Sequence, residues 1–462
     1  MKNLLYIIFF IVTFFILGVY LVSQDHQNRY AKYIKDNTPS KIKNFLKDTL
    51  FYLPIKLRNV SNTEKLYREI EIENKKLKKE NKILNNKLNL GKYEKKNINN
   101  KYLAETIIIP FDIEKKFENI KPNGYLEIFK NNLIVTYVSG EIIYFDKKIF
   151  NRKKKNFTKI KTNLIKDKLF DGSIIWTGIK DTKIVNNKIY ISLTQEIKPN
   201  CYNTSLFSAE INLLYLDFTE VFKSKECAEI QKRIEYFKYF NGHQNGGRIE
   251  YLNEKIYLTI GDYNNWESPQ DKNSDFGKII EIDPKNNEYR HVSMGHRNQQ
   301  GLDIFSYDDN TLISTEHGPK GGDEINIIDL NKNLNQNNYG WPIVSYGNHY
   351  DIIPINSYSK KYAPLYKDHN KYGFVEPLFY FKKSIGISEI EKNFFSKKNQ
   401  FFVTSLKEKK IYILEIKNND FNLVEEIYIG ERIRDIIYDF DEKVYFLYLE
   451  DSPKLLKLSN LN

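Results

Sequence analysis

Cysteine is scarce in this sequence, which has only Cys201 and Cys227 among 462 residues. Neither a C-x-x-C pair nor a Cys/His spacing typical of zinc modules is present, so a structural zinc site is not expected. In an oxidising compartment two such thiols can pair, and the residues between them can form two antiparallel strands that bring the sulfurs together. Two interpretations stay open here, a disulfide and two unrelated thiols.

Long amphipathic helical patterns are absent after about residue 106. Short runs rich in Ile, Tyr, Phe and Val alternate there with Asn, Gly, Asp and Lys clusters, as in YLEIFKNNLIVTYVSGEIIYFD (125–146) and RIEYLNEKIYLTIGD (248–262). Paired runs across such turns predict β-hairpins. Regularly spaced hairpins of this kind predict an all-β domain, either a propeller or a large sandwich, and six blades would use about 58 residues each.

The net charge is +12, which raises the question of a nucleic-acid partner. The basic residues are spread along the chain, however, and 59 acidic residues accompany them. Abundant Lys, Asn and Ile with little Ala fit a compositional bias better than a binding patch. We therefore expect no nucleic-acid partner.

Residues 4–22 (LLYIIFFIVTFFILGVYLV) contain no charge and no proline. A helix of this length covers about 29 Å, close to the hydrocarbon thickness of a bilayer. A cleaved signal peptide would have a shorter apolar run and a small-residue cleavage site, which is not evident at 22–25. The run predicts an uncleaved transmembrane signal anchor over residues 1–24, a cleaved leader being the alternative; either way the remainder is exported.

A stalk is predicted over residues 25–105, and it contains one heptad pattern. Ile70, Leu77 and Leu84 recur every seven residues, and Asn74 and Asn81 fall on the complementary seam. Asn at such positions specifies register at a cost in stability. A dimerising coiled coil, giving a possible homodimer, and a single solvated helix are the two interpretations.

Several polar and glycine-rich clusters interrupt the strands, in a specific order. They read HQNGGRI (243–249), LTIGD (258–262), GKIIEI (277–282), GHRNQQGL (295–302), EHGPKGGDEIN (316–326), NYGWP (338–342) and RIRD (432–435). The four glycine-rich and polar clusters at 242–249, 295–302, 315–326 and 338–342 each lie at the end of a predicted strand, where propellers place their binding loops. In this order the clusters resemble those of the glucose/sorbosone dehydrogenase family, the soluble quinoproteins, and especially its aldose sugar dehydrogenase branch. The resemblance covers about residues 106–462 and is strongest over 242–350.

The resemblance implies a six-bladed β-propeller that binds pyrroloquinoline quinone (PQQ) on one face. His243 matches the catalytic base, and Asp262 matches the carboxylate that orients it and stabilises its protonated form. Arg297 and Asn298 match residues that hold the quinone, and the arginine can stabilise charge that develops on the quinone oxygen. The remaining matches are the cations Lys407, Arg432 and Arg434, which suit a tricarboxylate.

Calcium is also implied by the resemblance. The carbonyls of Gly318 and Pro319 match ligands of an ion that bridges protein and PQQ, and Glu324 and Tyr339 match a second, structural site. The sequence departs from the family at FKKSIGIS (381–388), which borders the sugar side, and at FDGSII (170–175). It also has extra residues between Glu324 and Tyr339.

The resulting hypothesis is an all-β, six-bladed propeller over residues 106–462, preceded by an N-terminal transmembrane helix and a short helical stalk. Its expected place is the bacterial inner membrane, with the propeller in the periplasm. It would oxidise an aldose sugar at the anomeric carbon to a lactone and pass electrons to a quinone or cytochrome acceptor. The alternatives are a non-catalytic sugar- or protein-binding propeller and, third, an adhesin built on the stalk.

Overall fold

The computed structural model describes residues 90–111, 122–164, 178–229, 243–306, 308–351, 356–417 and 420–461. The predicted anchor and the heptads of the predicted stalk lie outside these residues. Within the described ranges, no helix combines the length and apolar character needed to cross a bilayer.

The described strands form six sheets, here called blades 1 to 6. Blade 1 contains β3 (Gly124–Phe129), β4 (Asn132–Tyr137), β5 (Ile142–Asp146), β6 (Thr158–Thr162) and β10 (Tyr215–Leu216). Blade 2 contains β7 (Gly178–Val185), β8 (Lys188–Lys198), β9 (Cys201–Glu210), β11 (Thr219–Lys223) and β12 (Ala228–Glu229). Blade 3 contains β13 (Gly246–Leu252), β14 (Lys255–Ile260), β15 (Lys278–Ile282) and β16 (Tyr289–Met294).

The other three blades follow in chain order. Blade 4 contains β17 (Gln299–Ser306), β18 (Thr311–Glu316), β19 (Asp323–Asp329) and β20 (Phe379–Phe381). Blade 5 contains β21 (Ile387–Lys392), β22 (Gln400–Ser405), β23 (Lys410–Lys417) and β24 (Asp420–Tyr428). Blade 6 contains β25 (Ile433–Asp439), β26 (Val444–Leu449) and β27 (Lys454–Asn460), with β1 (Tyr93–Ile98) and β2 (Tyr102–Ile108) from the other end of the domain.

Helical structure in the described ranges is minor. One α-helix, α1 (Ser357–Tyr362), lies in the long connection between β19 and β20, and Asn356 caps its first turn by accepting from the Ser359 amide. Three 3₁₀ turns occupy Lys147–Asn151, Ser268–Gln270 and Asn370–Tyr372. The hairpin turns place Asn in the left-handed region, as at Asn186 (φ 48°) and Asn253 (φ 51°), which is the turn chemistry that the sequence predicted.

The innermost strands close into a ring, because β3, β7, β13, β17, β21 and β25 contact one another in that order and β25 contacts β3. The core lies between neighbouring blades, where alternate residues of each strand pack against the next sheet. Between blades 6 and 1, for example, Phe446 and Tyr448 pack with Leu126 and Val135. The prediction of an all-β, six-bladed propeller is confirmed.

Blade 6 joins the two ends of the domain. β2 pairs antiparallel with β27, from Tyr102 opposite Asn460 to Ile108 opposite Lys454. The boundary predicted at residue 106 therefore falls inside β2, and β1 before it also belongs to the propeller. β1 (YEKKNI) is almost wholly exposed and carries Lys and Asn, as edge strands often do, so its sequence gives no apolar alternation to recognise.

A buried ion network ties four inner strands together across the ring. Arg248 Nη1 on β13 lies 3.1 Å from Asp181 Oδ1 on β7, 2.6 Å from Glu389 Oε2 on β21 and 2.8 Å from Asp435 Oδ1 on β25. Removing one partner of such a network would leave an uncompensated buried charge, which is strongly destabilising.

Cys201 at the start of β9 and Cys227 just before β12 form a disulfide, with their Cα atoms 5.5 Å apart. β12 pairs with β9, placing Glu229 opposite Cys201. Of the two interpretations that the sequence left open, the structure has the disulfide.

Candidate active site

The predicted catalytic loop, which carries His243, is held against the turn that follows β14. The Gly261 amide donates to the Asn245 carbonyl (2.8 Å), and the Tyr263 amide donates to the Gln244 carbonyl (3.1 Å). A Cβ at Gly261 would lie 2.0 Å from the Gln244 oxygen, so only glycine permits this approach. The half-buried His243 and the buried Asp262 are thereby brought onto adjacent loops.

Asp262 accepts hydrogen bonds at both carboxylate oxygens. Trp341 Nε1 donates to Oδ2 (2.8 Å), and the Asn264 amide donates to Oδ1 (2.9 Å). Burial raises the pKa of Asp262 to about 7, while Arg297 acts in the opposite direction. The carboxyl group is therefore poised to change ionisation near neutral pH, as acid–base machinery requires.

Arg297 lies beside Asp262, whose backbone amide donates to the Arg297 carbonyl (2.8 Å). Its Nη1 donates to the carbonyls of His317 and Gly318, each at 3.0 Å, and its guanidinium stacks over the Trp341 ring at 5.3 Å. The side-chain amide of Gln244 links the pair when its nitrogen faces Asp262 and its oxygen faces Arg297. In this orientation the nitrogen donates to Asp262 Oδ1 (2.7 Å), and the oxygen accepts from Arg297 Nη2 (3.0 Å). The Nε of Arg297 is buried without a partner among the described residues.

Arg432 and Arg434 share one buried carboxylate, Glu450. Arg434 Nε donates to Glu450 Oε2 (2.8 Å), and Arg432 Nε donates to Oε1. Burial alone would raise the pKa of Glu450, but the two guanidiniums hold it below its usual value. The two guanidiniums, two residues apart in the chain, therefore reach the same carboxylate.

Asn298 and Lys407 complete the predicted cofactor set. The Asn298 side chain accepts from the Gly246 amide (3.1 Å) and from Gln300 Nε2 (3.1 Å), and Gln300 Oε1 in turn accepts from Arg434 Nη1 (3.1 Å). The structure thus links His243's loop, Asn298 and Arg434 through short contacts. Lys407 is exposed and makes no ion pair with any described residue. Its neighbour Leu406 accepts a hydrogen bond from Arg432 Nη1 (3.4 Å), which places Lys407 next to the arginine pair.

Two further side chains, His317 and Lys180, belong to this region, and the sequence predicted a role for neither. His317 is surrounded by protein, and burial, with Arg297, Arg434 and Arg432 nearby, lowers its pKa to about 3. Lys180 on β7 has its pKa lowered to about 7 by burial and by Arg434. Lys180 lies in the part of the chain where the family resemblance was weak, so no motif drew attention to it. His317 is part of the EHGP motif, but the motif by itself did not predict that this histidine lies among three arginines.

The predicted calcium ligands show two different situations. The Gly318 carbonyl accepts from Arg297, and the Pro319 carbonyl accepts from Ser384 Oγ (3.1 Å) and Tyr350 (3.3 Å), so both already have protein donors. The Tyr339 hydroxyl donates to the Ile327 carbonyl. The described residues contain no group of three or more His, Cys, Asp or Glu placed to hold a metal.

Two buried amide side chains, however, lie on the same face of blade 4 as Glu324. Glu324 lies opposite Glu316 on β18, and Asn326, two residues further along β19, lies opposite Ser314. Both side-chain atoms of Asn326 and of Gln299, which is paired with Glu316, are buried without partners among the described residues. Burial, then Glu316, raises the pKa of Glu324 well above its usual value. Carboxylates with unpaired amide oxygens fit a hard cation such as calcium.

The sequence pattern of the glucose/sorbosone dehydrogenase family matches residues 130–457. The chain belongs to this family. Among curated relatives, it is 29% identical over 245 residues to the aldose sugar dehydrogenase YliI of Escherichia coli K12, covering 49% of this chain and 62% of that protein. It is 30% identical over 251 residues to the uncharacterised protein slr1608 of Synechocystis, covering 47% and 57%. The matched region therefore spans less than two thirds of either relative.

Solved structures support the same fold for this glucose/sorbosone dehydrogenase family member. The soluble aldose sugar dehydrogenase of Escherichia coli aligns with a TM-score of 0.60 at 21% identity, covering 74% of this chain and 97% of that one. A glucose dehydrogenase aligns with a TM-score of 0.58 at 20% identity, covering 73% and 98%. At these identities the likeness shows the propeller fold.

Proposed function

We propose that this chain is an exported, membrane-anchored quinoprotein that oxidises the anomeric carbon of an aldose to a lactone and uses PQQ as its cofactor. The carrying observation is a cluster of cationic side chains. Arg432 and Arg434 share Glu450, Arg434 is linked through Gln300 to Asn298, which follows Arg297, and Arg432 Nη1 donates to the Leu406 carbonyl beside Lys407 (3.4 Å). Arg297 and Arg434 are only 7% exposed each. Burying guanidiniums is costly unless anions compensate them, and a planar tricarboxylate supplies such anions.

The residues fit the cofactor in two further respects. Among the residues that the structure describes, Nε of Arg297 has no hydrogen-bond partner, so it offers an unused donor. Arg432 and Arg434 together carry two charges, of which Glu450 cancels one, so the pair keeps a net positive charge for a ligand. Lys407, exposed at the rim, adds a cation without an ion-pair partner in the described residues.

When bound, PQQ supplies the two-electron acceptor for the hydride that leaves the anomeric carbon. The chain's own residues manage the proton. An imidazole nitrogen of His243 takes the proton of the anomeric hydroxyl, and the adjacent Asp262 stabilises the resulting imidazolium. Trp341 and two backbone carbonyls hold Arg297 in place. Its fixed positive charge can therefore stabilise negative charge that develops near it during the reaction.

Calcium is part of the proposal at two places. The Gly318 and Pro319 carbonyls offer neutral oxygens near Arg297, and the face around Glu324, Asn326 and Gln299 offers carboxylate and amide oxygens. Support is stronger at the second place, because its amide groups are buried and unpaired among the described residues. Tyr339 is better explained by packing, since its ring stacks on His296 with centroids 4.8 Å apart.

The decisive experiment adds PQQ and calcium to the full-length chain purified in detergent and follows the quinone absorbance. A panel of aldoses is then screened with an artificial electron acceptor, and the product is analysed for lactone. Saturable PQQ binding with sugar-dependent reduction supports the proposal. A chain that binds no PQQ in the presence of calcium would instead favour the non-catalytic propeller.

Export and anchoring rest on the uncharged run 4–22. An anchor would keep the propeller near membrane-bound quinone or cytochrome acceptors and raise their effective concentration. We expect terminal sequencing of the membrane fraction to find residues 1–24 intact, and externally added protease to digest the propeller in spheroplasts. A mature chain that starts near residue 25 would contradict the anchor.

A further inference from the structure

Lys180 lies at the inner end of blade 2, close to the loop that carries His243. It belongs to β7, the innermost strand of its blade. A Cβ at Gly247 would lie 2.2 Å from Lys180 Cβ and 2.9 Å from its Cγ, so the lysine stem lies directly against the backbone at the start of β13. Gly247 has φ +109°, a conformation that glycine adopts readily. The side chain is enclosed by protein but keeps some solvent contact.

The electrostatic surroundings of Lys180 favour a nearby anion. Burial, and then the charge of Arg434, lowers the pKa of Lys180 to about 7. Burial and a neighbouring cation both disfavour the charged ammonium, and a carboxylate beside Lys180 would act in the opposite direction.

The contacts of Arg434 leave room for a second cation beside it. Arg434 Nε donates to Glu450 Oε2 (2.8 Å), and its Nη1 donates to Gln300 Oε1 (3.1 Å). PQQ carries three carboxylates, and one carboxylate has two oxygens that can accept from two cationic side chains. A carboxylate bound by Arg434 can therefore also accept from a neighbouring lysine.

We infer that Lys180 is a further cofactor-binding residue, which pairs with a carboxylate of PQQ beside Arg434. The inference rests on the proposed function, because it assigns a residue to that cofactor. Its sequence position gives no hint of this role. The role follows from the contact with Gly247, because the adjacent Gly246 amide donates to Asn298, and Asn298 is linked through Gln300 to Arg434.

Binding of this kind has a pH dependence. An anion beside Lys180 raises its pKa above 7, so the site takes up a proton as PQQ binds, and affinity falls as the pH rises through 7 and above. Other titratable groups lie nearby. Asp181, the next residue, is bound to Arg248 and has its pKa raised to about 7 by burial, Tyr125 on β3 has its pKa raised to about 12, and His243 precedes β13. The Lys180→Arg variant distinguishes titration of Lys180 from titration of these groups, because an arginine side chain stays charged over this pH range.

The experiment measures PQQ affinity between pH 6 and pH 9 with calcium present, using full-length wild type and three variants. Lys180→Met should weaken binding about ten- to a hundredfold at pH 6.5, the usual loss for one charge-assisted contact. Lys180→Arg should keep the affinity at pH 6.5 and hold it up to pH 9. Lys188→Met, which removes a surface lysine of the next strand, is the matched control and should behave like wild type. Thermal unfolding of each apo variant checks the fold.

The outcomes are distinguishable. If wild type and Lys180→Met bind PQQ with equal affinity and equal pH dependence, the role of Lys180 is refuted while the proposed function stands. If Lys180→Arg loses affinity with pH as wild type does, the titrating group is another one, and the inference also fails. If wild type binds no PQQ at all, the proposed function and the inference fail together.

Discussion

Trp341 donates its indole N–H to the buried carboxylate of Asp262 across 2.8 Å. The two residues come from different motifs, NYGWP and LTIGD, which are far apart in the chain. Their contact explains how a carboxylate that is fully buried keeps access to its ionised form, because hydrogen bonds to an anion offset part of the cost of burial. It also makes the ionisation of Asp262 open to test.

Replacing Trp341 with Phe should move the acid limb of the pH–activity profile to higher pH. Burial already raises the pKa of Asp262 to about 7, and loss of the indole bond raises it further. Activity needs the carboxylate, so it should fall off earlier as the pH drops. A hydrogen bond to a charged group contributes about 1.5–3 kcal/mol, or about one to two pH units. The measurement is kcat/KM against pH, and superimposable profiles would contradict the assignment.

Replacing His243 with Ala should separate chemistry from cofactor binding. The residue is expected to face the substrate, so PQQ affinity should change little. Turnover should fall by roughly 10²-fold or more, the usual loss for a general base. Stopped-flow reduction of bound PQQ by sugar measures the step directly. A variant that keeps its reduction rate would show that another group takes the proton.

The sequence predicted the propeller because strand alternation and Asn-rich turns are local signals. It also predicted the residues now seen around Asp262 and Arg434, because those lie in ordered motifs. It did not predict β1, whose polar edge sequence lacks alternation, nor Lys180, whose role depends on a neighbour more than 250 positions away in the numbering. Glu450 was missed for the same reason. The role of Glu450 depends on Arg432 and Arg434, which lie at the start of the neighbouring strand β25.

Arg432→Ala and Arg434→Ala should both weaken PQQ binding, but they should differ in stability. Each removes a charge-assisted contact, which predicts a loss of about 1.5–3 kcal/mol in binding. Arg434 is buried, and its removal leaves Glu450 with Arg432 as its remaining charged partner, so this variant should also unfold more readily. Arg432 is more exposed, and its loss leaves the Arg434–Glu450 pair. Cofactor titration and thermal unfolding of the two apo variants, measured side by side, test this difference.

The last prediction concerns calcium on the face of blade 4. Both amide atoms of Asn326 are buried without partners among the described residues, and Asn326 lies on the same face of β19 as Glu324. We expect calcium to raise the Tm of the wild-type apo protein, since a ligand at 100 times its Kd stabilises a fold by about 2.7 kcal/mol.

Asn326→Leu should reduce that increase and lower the bound calcium by one ion per chain in metal analysis. Without calcium, the variant should be at least as stable as wild type, because an unsatisfied buried amide costs about 1–3 kcal/mol.

Thr311→Val is the matched control. It removes a buried hydroxyl that also has no partner among the described residues. Thr311 lies on the neighbouring strand β18 but at the opposite end from Glu324, so the variant should leave the calcium response unchanged. Ordered water is the competing explanation for the unpaired amide. It predicts that wild type and Asn326→Leu bind the same amount of calcium and gain the same Tm from it, and that result would exclude a cation at this face.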